Sequence, residues 1–173
     1  MPINVGKLGK PALPNNDLCI QPGRVVDYEQ HSKVNLGLVL RDKKSKWVLL
    51  NLQGAELEMS PDRLYLFPPD KTPIFESNRD RINYLTSTLS QAETLAANVN
   101  FEEIWELVSE NKRELSAKEL TEIAFNHNTL INHLAMRRAL LTDRVYFRRG
   151  KIGFDPRSAD AVKEMKLQVK ADE

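Results

Sequence analysis

The sequence predicts an α+β protein: a small five-stranded antiparallel β-barrel of SH3-like type, followed by a helical winged helix-turn-helix domain. Three observations carry this. Between about Leu18 and Phe67 the apolar residues recur at the period of strands, in five short runs separated by turn residues. Pro68-Pro69-Asp70-Lys71-Thr72-Pro73 then places three prolines in six residues, which stops strand and helix alike and makes a semi-stiff connector. Beyond it the period becomes that of capped helices, until a two-stranded pattern with a glycine turn follows the last of the packed pair. The expected divisions are a mobile tail over 1–16, the barrel over 17–67, the linker over 68–76, the winged helix-turn-helix over 77–157 and a last helix over 158–173.

Taken in order, the strand candidates are Arg24–Tyr28, Leu36–Leu40, Lys46–Leu50, Ala55–Met59 and Leu64–Leu66. Asp42–Ser45 and Gln53-Gly54 are turn chemistry, and Pro61-Asp62-Arg63 suits one helical turn before the last strand. Closure into a barrel is expected because it removes vulnerable edges. Gly37, in mid-strand, is expected to mark a bulge or sharp coil.

Ser77-Asn78-Arg79-Asp80 has the pattern of a capping box, opening a long helix with its stripe at Ile82, Leu85, Leu89, Ala92, Ala96 and Val99. Asn100 caps the next, with Phe101, Ile104, Trp105 and Val108 inward. Ser116 and Glu119 form a second capping box, and Leu120, Ile123 and Ala124 share a face behind it. His127-Asn128 breaks the pattern, and Asn128 or Thr129 caps a helix whose stripe is Leu130, Leu134 and Leu141, with Ile131 and Leu140 at its edges. Val145-Tyr146-Phe147 and Ile152-Gly153-Phe154 flank a turn at Arg149-Gly150. Alternation makes one of Tyr146 and Phe147 a core residue, Phe147 if Phe154 points inward with it. Ser158 caps the last helix, in which Ala161, Val162, Met165, Leu167 and Val169 alternate with lysines and acids. That helix reaches the final residue without a glycine stop, the pattern of a chain that continues into something longer.

Composition narrows the chemistry. Of 173 residues, 41% are hydrophobic and 28% charged, as in ordinary globular domains. No apolar run approaches the ~20 residues of a membrane span, and an intracellular, cytoplasmic protein without membrane contact is expected. Cys19 is the only cysteine, which excludes an internal disulfide and a cysteine-based zinc site. His31, His127 and His133 lack metal-ligand spacing, so surface or capping roles are expected for them. Gly6-Lys7-Leu8-Gly9-Lys10 lacks the spacing of a phosphate-binding loop. The net charge is +1, so any binding of a polyanion must rest on a local patch.

Such a patch exists. Between Arg137 and Arg157, seven basic residues (Arg137, Arg138, Arg144, Arg148, Arg149, Lys151 and Arg157) face only Asp143 and Asp155. Upstream, seven glutamates stand against three basic residues between Asn100 and Glu122, which would push a polyanion toward the arginine-bearing side. The candidate nucleic-acid contacts are these seven basic residues, Tyr146 as a ring for base stacking, and Lys43 and Lys44 on a basic loop beside Trp47.

Several motifs support a family resemblance: Ser116-Ala-Lys-Glu-Leu120, Leu141-Thr-Asp-Arg-Val-Tyr-Phe-Arg148 and Phe154-Asp-Pro-Arg-Ser-Ala-Asp-Ala-Val162, preceded by Gly23-Arg-Val-Val26 and Trp47-Val-Leu-Leu50. In order and spacing they resemble the N-terminal β-domain and winged helix of the ribonuclease II (RNB) exoribonucleases, in their cyanobacterial, chloroplast and Deinococcus-like branch. The resemblance implies a monomeric, non-catalytic region that guides single-stranded RNA to the rest of a 3′-to-5′ exonuclease. It also implies magnesium, held by clustered aspartates in a catalytic domain outside this sequence. Asp155 and Asp160 are the nearest acidic pair here and form no such cluster, so no catalytic residue is expected in this chain. The alternatives are a stand-alone winged-helix DNA-binding regulator and a protein-interaction module.

Overall fold

The computed structural model describes residues 19–71 and 73–172. The tail expected over 1–16, and Thr72 of the linker, lie outside the described residues.

All five expected strands form: β1 (Val25–Gln30), β2 (Lys33–Lys43), β3 (Lys46–Asn51), β4 (Glu56–Met59) and β5 (Leu64–Leu66). They make one antiparallel sheet in the order β4-β3-β2-β1-β5. The β1–β2 turn is His31-Ser32, both left-handed (φ 54° and 63°), the backbone that matches the twist of a two-residue hairpin. Val26, Tyr28, Val39, Leu49 and Met59 form the core of this sheet, with Trp47 packed at its margin. Arg24 is buried and donates to the carbonyls of Cys19 (3.1 Å) and Phe67 (2.7 Å), tying together the segments before β1 and after β5.

Two expectations for this unit are corrected. The sheet is not closed into a barrel, because β4 pairs only with β3 and β5 only with β1. The expected helical turn does form, as a 3-10 turn over Pro61–Arg63, and it carries the chain between the two edges without a ladder. Nor does Gly37 mark the bulge. It sits in register opposite Val26 and Asn51, and the shift falls between Val39 and Arg41. Gly37 is small because the Tyr28 ring lies 3.3 Å from where a Cβ would stand.

The helices are α1 (Asn78–Ala96), α2 (Phe101–Val108), α3 (Ala117–Phe125), α4 (Leu130–Thr142) and α5 (Ala159–Ala171). The chain divides into two compact units within α1, between Leu85 and Thr86. Ser77 Oγ accepts from the Asp80 N–H (3.2 Å) and the Asp80 carboxylate from the Glu76 N–H (3.1 Å), so α1 starts where its sequence says. Leu85 and Ala92 are buried and Ile82, Leu89 and Ala96 half-buried, in line with the expected stripe. Asn100 caps α2, burying Ile104 and Val108. The Ser116–Glu119 capping box is complete in both directions (3.0 and 3.1 Å). Arg113 holds Glu119 at 2.7 Å, and that hydrogen bond lowers the Glu119 carboxyl pKa.

Three helical faces differ from expectation. In α3 the buried positions are Ala117, Leu120 and Thr121, while Ile123 is 39% exposed. The Thr121 hydroxyl donates to the Ala117 carbonyl (2.6 Å), which satisfies its polar group in the core. Thr129 caps α4, which has no single stripe: eight of its thirteen residues are buried, including His133 and Arg137, and Leu141 is only half-buried. Periodicity fails there because the helix is covered on several sides. In α5 only Val162 is buried, and Leu167 stands 68% exposed.

The hairpin consists of β6 (Phe147–Arg149) and β7 (Phe154–Pro156). Its turn is Gly150–Gly153, closed by the Gly150 N–H on the Gly153 carbonyl (2.8 Å), one step beyond the expected Arg149-Gly150. Leu115 supplies a one-residue third strand, exchanging two backbone hydrogen bonds with Phe154, each 2.8 Å. A Cβ on Gly153 would fall on the Leu115 carbonyl. Replacing Gly153 by Ala is therefore expected to cost about 2–3 kcal/mol by forcing this backbone apart. Urea denaturation of the variant, followed by the fluorescence of Trp105 in the same unit, checks this.

Candidate nucleic-acid interface

Position in the hairpin sorts its side chains. Phe147 and Phe154 point inward, 2% and 3% exposed, and Phe147 meets Phe101 at 5.9 Å between ring centres. Alternation then turns Arg148 outward, with its side chain 69% exposed and 3.5 Å from the cross-strand Asp155. Arg149 and Lys151 are exposed at the turn. The approach to the hairpin is set by Asp143, which follows α4: its carboxylate accepts from the N–H groups of Val145 (3.2 Å), Tyr146 (3.0 Å) and Phe147 (2.9 Å). A short acid after a helix, just before backbone that leaves the helical path, is the signal that could have shown this from sequence.

The underside of the turn is held by Glu114. Its Oε1 accepts from the N–H groups of Ile152 (3.1 Å) and Gly153 (3.2 Å), and a Cβ on Gly150 would meet the same carboxylate. The interaction spans thirty-eight residues of sequence, and no local motif announces it.

The other expected contacts are placed differently. Arg137 is 7% exposed, inside the helical unit. Arg138 is half-buried along an open groove with Glu93 and Thr142. Arg144 is half-exposed and paired with Asp172 at 2.8 Å. Tyr146 is half-buried, its ring 6.0 Å from that of Trp105 and 5.5 Å from the Lys166 ammonium. Arg157 is half-buried, and its carbonyl accepts from Trp105 Nε1 (2.7 Å). In the β-unit, Lys43 pairs with Glu58 at 3.0 Å and lowers that carboxyl's pKa, while Lys44 is exposed in the β2–β3 turn. The structure thus brings together Arg148, Arg149 and Lys151 on one exposed hairpin.

His133, expected at the surface or as a cap, is 5% exposed. Its Nδ1 lies 2.6 Å from Asn128 Oδ1. Burial, reinforced by the nearby charges of Arg137 and Lys118, pushes its pKa down to about 4. Among the described residues no three carboxylate, histidine or cysteine groups converge on a metal position. No described helix is long and apolar enough to cross a membrane.

A capped helix pair followed by a hairpin, with Leu115 as third strand, defines a winged-helix domain. Residues 87–161, from within α1 to the first turn of α5, match the family model of the ribonuclease II winged-helix domain. The chain is also 22% identical over 153 residues to an uncharacterized ribonuclease of Synechocystis sp., an alignment that covers 87% of this chain. It spans only 22% of that relative's length. The family model thus matches the winged helix alone, while the similarity to that ribonuclease extends into the β-unit. No solved structure matches.

The burial of His133 has a signed consequence. The unfolded chain protonates His133 near pH 6.5, whereas the folded chain resists until about 4. Its contribution to stability is therefore complete above pH 6.5 and is lost as the pH falls toward 4, by about 3 kcal/mol in all. Denaturant titrations at a series of pH values are expected to show this loss in the wild type and a shallower slope in His133→Gln.

Proposed function

We propose that this chain is the RNA-handling N-terminal region of a ribonuclease II-type 3′-to-5′ exonuclease, non-catalytic itself, with the wing guiding single-stranded RNA. The observation that carries this reading is the exposed cationic hairpin of Arg148, Arg149 and Lys151, in a domain of the ribonuclease II winged-helix type. Cations on a backbone fixed by Asp143 and Glu114 meet phosphates with little ordering cost. In this reading the rest of the longer protein supplies the magnesium-dependent cleavage, in the cytoplasm and as a monomer.

The state of α4 favours this reading over a stand-alone DNA regulator. A groove reader needs an accessible recognition helix, and here eight residues of α4 are buried, Arg137 included. Arg148, Arg149 and Lys151 remain accessible on the hairpin, which suits sequence-tolerant binding to phosphates.

The double variant Arg148→Ala/Arg149→Ala is expected to bind single-stranded RNA more weakly than wild type. The slope of log affinity against log salt should fall by about 0.7 for each phosphate that the variant no longer neutralises. Fluorescence anisotropy across a salt series reads both quantities. An unchanged slope removes the wing from the reading, and a preference for duplex DNA by a dimeric chain favours the regulator.

A further inference from the structure

Ile152 is 88% exposed in the wing turn, next in sequence to Lys151. An isolated exposed isoleucine is ordinary on a protein surface. This one stands on a fixed backbone. Its own N–H and that of Gly153 both donate to Glu114 Oε1, and the Gly150 N–H closes the turn on the Gly153 carbonyl. Glu114 itself is out of place by charge, since a carboxylate beside an exposed basic hairpin repels the polyanion that the hairpin would attract. Its hydrogen bonds give it a different task, which is to hold the turn from beneath.

Between successive phosphates a single strand offers sugars and unstacked base faces, and an apolar side chain next to cations in one turn complements that alternation. We infer that the wing turn is a base-contact point: Ile152 packs against an unstacked base, Lys151 and Arg149 engage the flanking phosphates, and Glu114 is the positioning residue that presents them. This rests on the RNA-binding reading above and deepens it.

Two charge-matched variants of the whole chain isolate the positioning. Glu114→Gln and Glu114→Ala remove the same negative charge. A single oxygen accepts both hydrogen bonds, so the Gln amide oxygen can keep the turn while Ala cannot. Charge alone predicts that both variants bind single-stranded RNA more tightly and equally. The inference predicts that Glu114→Ala binds about fivefold more weakly than Glu114→Gln, with faster amide exchange at Ile152 and Gly153. Equal binding by the two overturns the positioning role.

Ile152→Ala, a surface change that leaves the fold intact, tests the base contact. Affinity for an RNA carrying a fluorescent base analogue is expected to fall about threefold to fivefold, with the salt slope unchanged and the analogue's binding signal reduced. Unchanged affinity and signal overturn the base contact while leaving the cationic wing intact. Failure of unaltered chain to bind RNA at low salt overturns both readings, so the two failures are distinguishable.

Discussion

Two backbone hydrogen bonds between Leu115 and Phe154 hold the helical unit's hairpin to its helices. A hairpin of two three-residue strands has little stability alone, and a third strand changes that balance. Because Leu115 immediately precedes the Ser116 cap, the same bridge sets where α3 begins. It also places Glu114 under the turn, where its carboxylate reaches two N–H groups. Phe147 and Phe154 are inward as a result, and the cations of β6 face outward by alternation. Wing, helix start and turn therefore share one constraint.

The distribution of charge follows from which groups are used by the fold. Glu114 and Glu119 belong to the acidic stretch of sequence, yet both serve backbone N–H groups, one in the wing turn and one in the capping box. Arg144 and Lys43 are held in ion pairs with carboxylates at 2.8 and 3.0 Å, closer than the 3.5 Å between Arg148 and Asp155, which weakens their pull on a distant anion more. Arg137 and His133 lie in the core, where proximity of the cation helps keep the imidazole neutral. On the hairpin, Arg148, Arg149 and Lys151 remain accessible as a narrow cationic edge. A protein of net charge +1 can act on a polyanion only through such an edge.

The β-unit and the winged helix differ in how they manage exposed structure. The sheet leaves β4 and β5 as separate edges, both short, four and three residues long. Arg41 and Lys43 on β2 reach across β3 to glutamates of β4, so charged side chains crowd that margin of the sheet. In the helical unit α5 covers little with its own apolar residues, yet it touches the approach to the wing through Arg144–Asp172 and Lys166–Tyr146. These interactions make α5 an extension of the wing's support.

Much of the fold was legible from local chemistry. The caps at Ser77, Asn100, Ser116, Thr129 and Ser158 are satisfied within three or four residues of sequence, so short-range reading finds them. The five strands announce themselves by alternation, and Phe147 as the inward member of its pair follows from the same rule. The exposed part of the cationic site, Arg148, Arg149 and Lys151, was legible because turn residues and alternation leave those positions outside. Tertiary structure alone decided the rest. Whether the sheet closes depends on pairing between strands already joined by a turn, and no residue type encodes that pairing. Arg137 and His133 look like surface residues by type, but packing covers α4 on several sides and buries them. Glu114 and Leu115 act on partners almost forty residues away, where a hydrogen bond leaves no local periodicity to read.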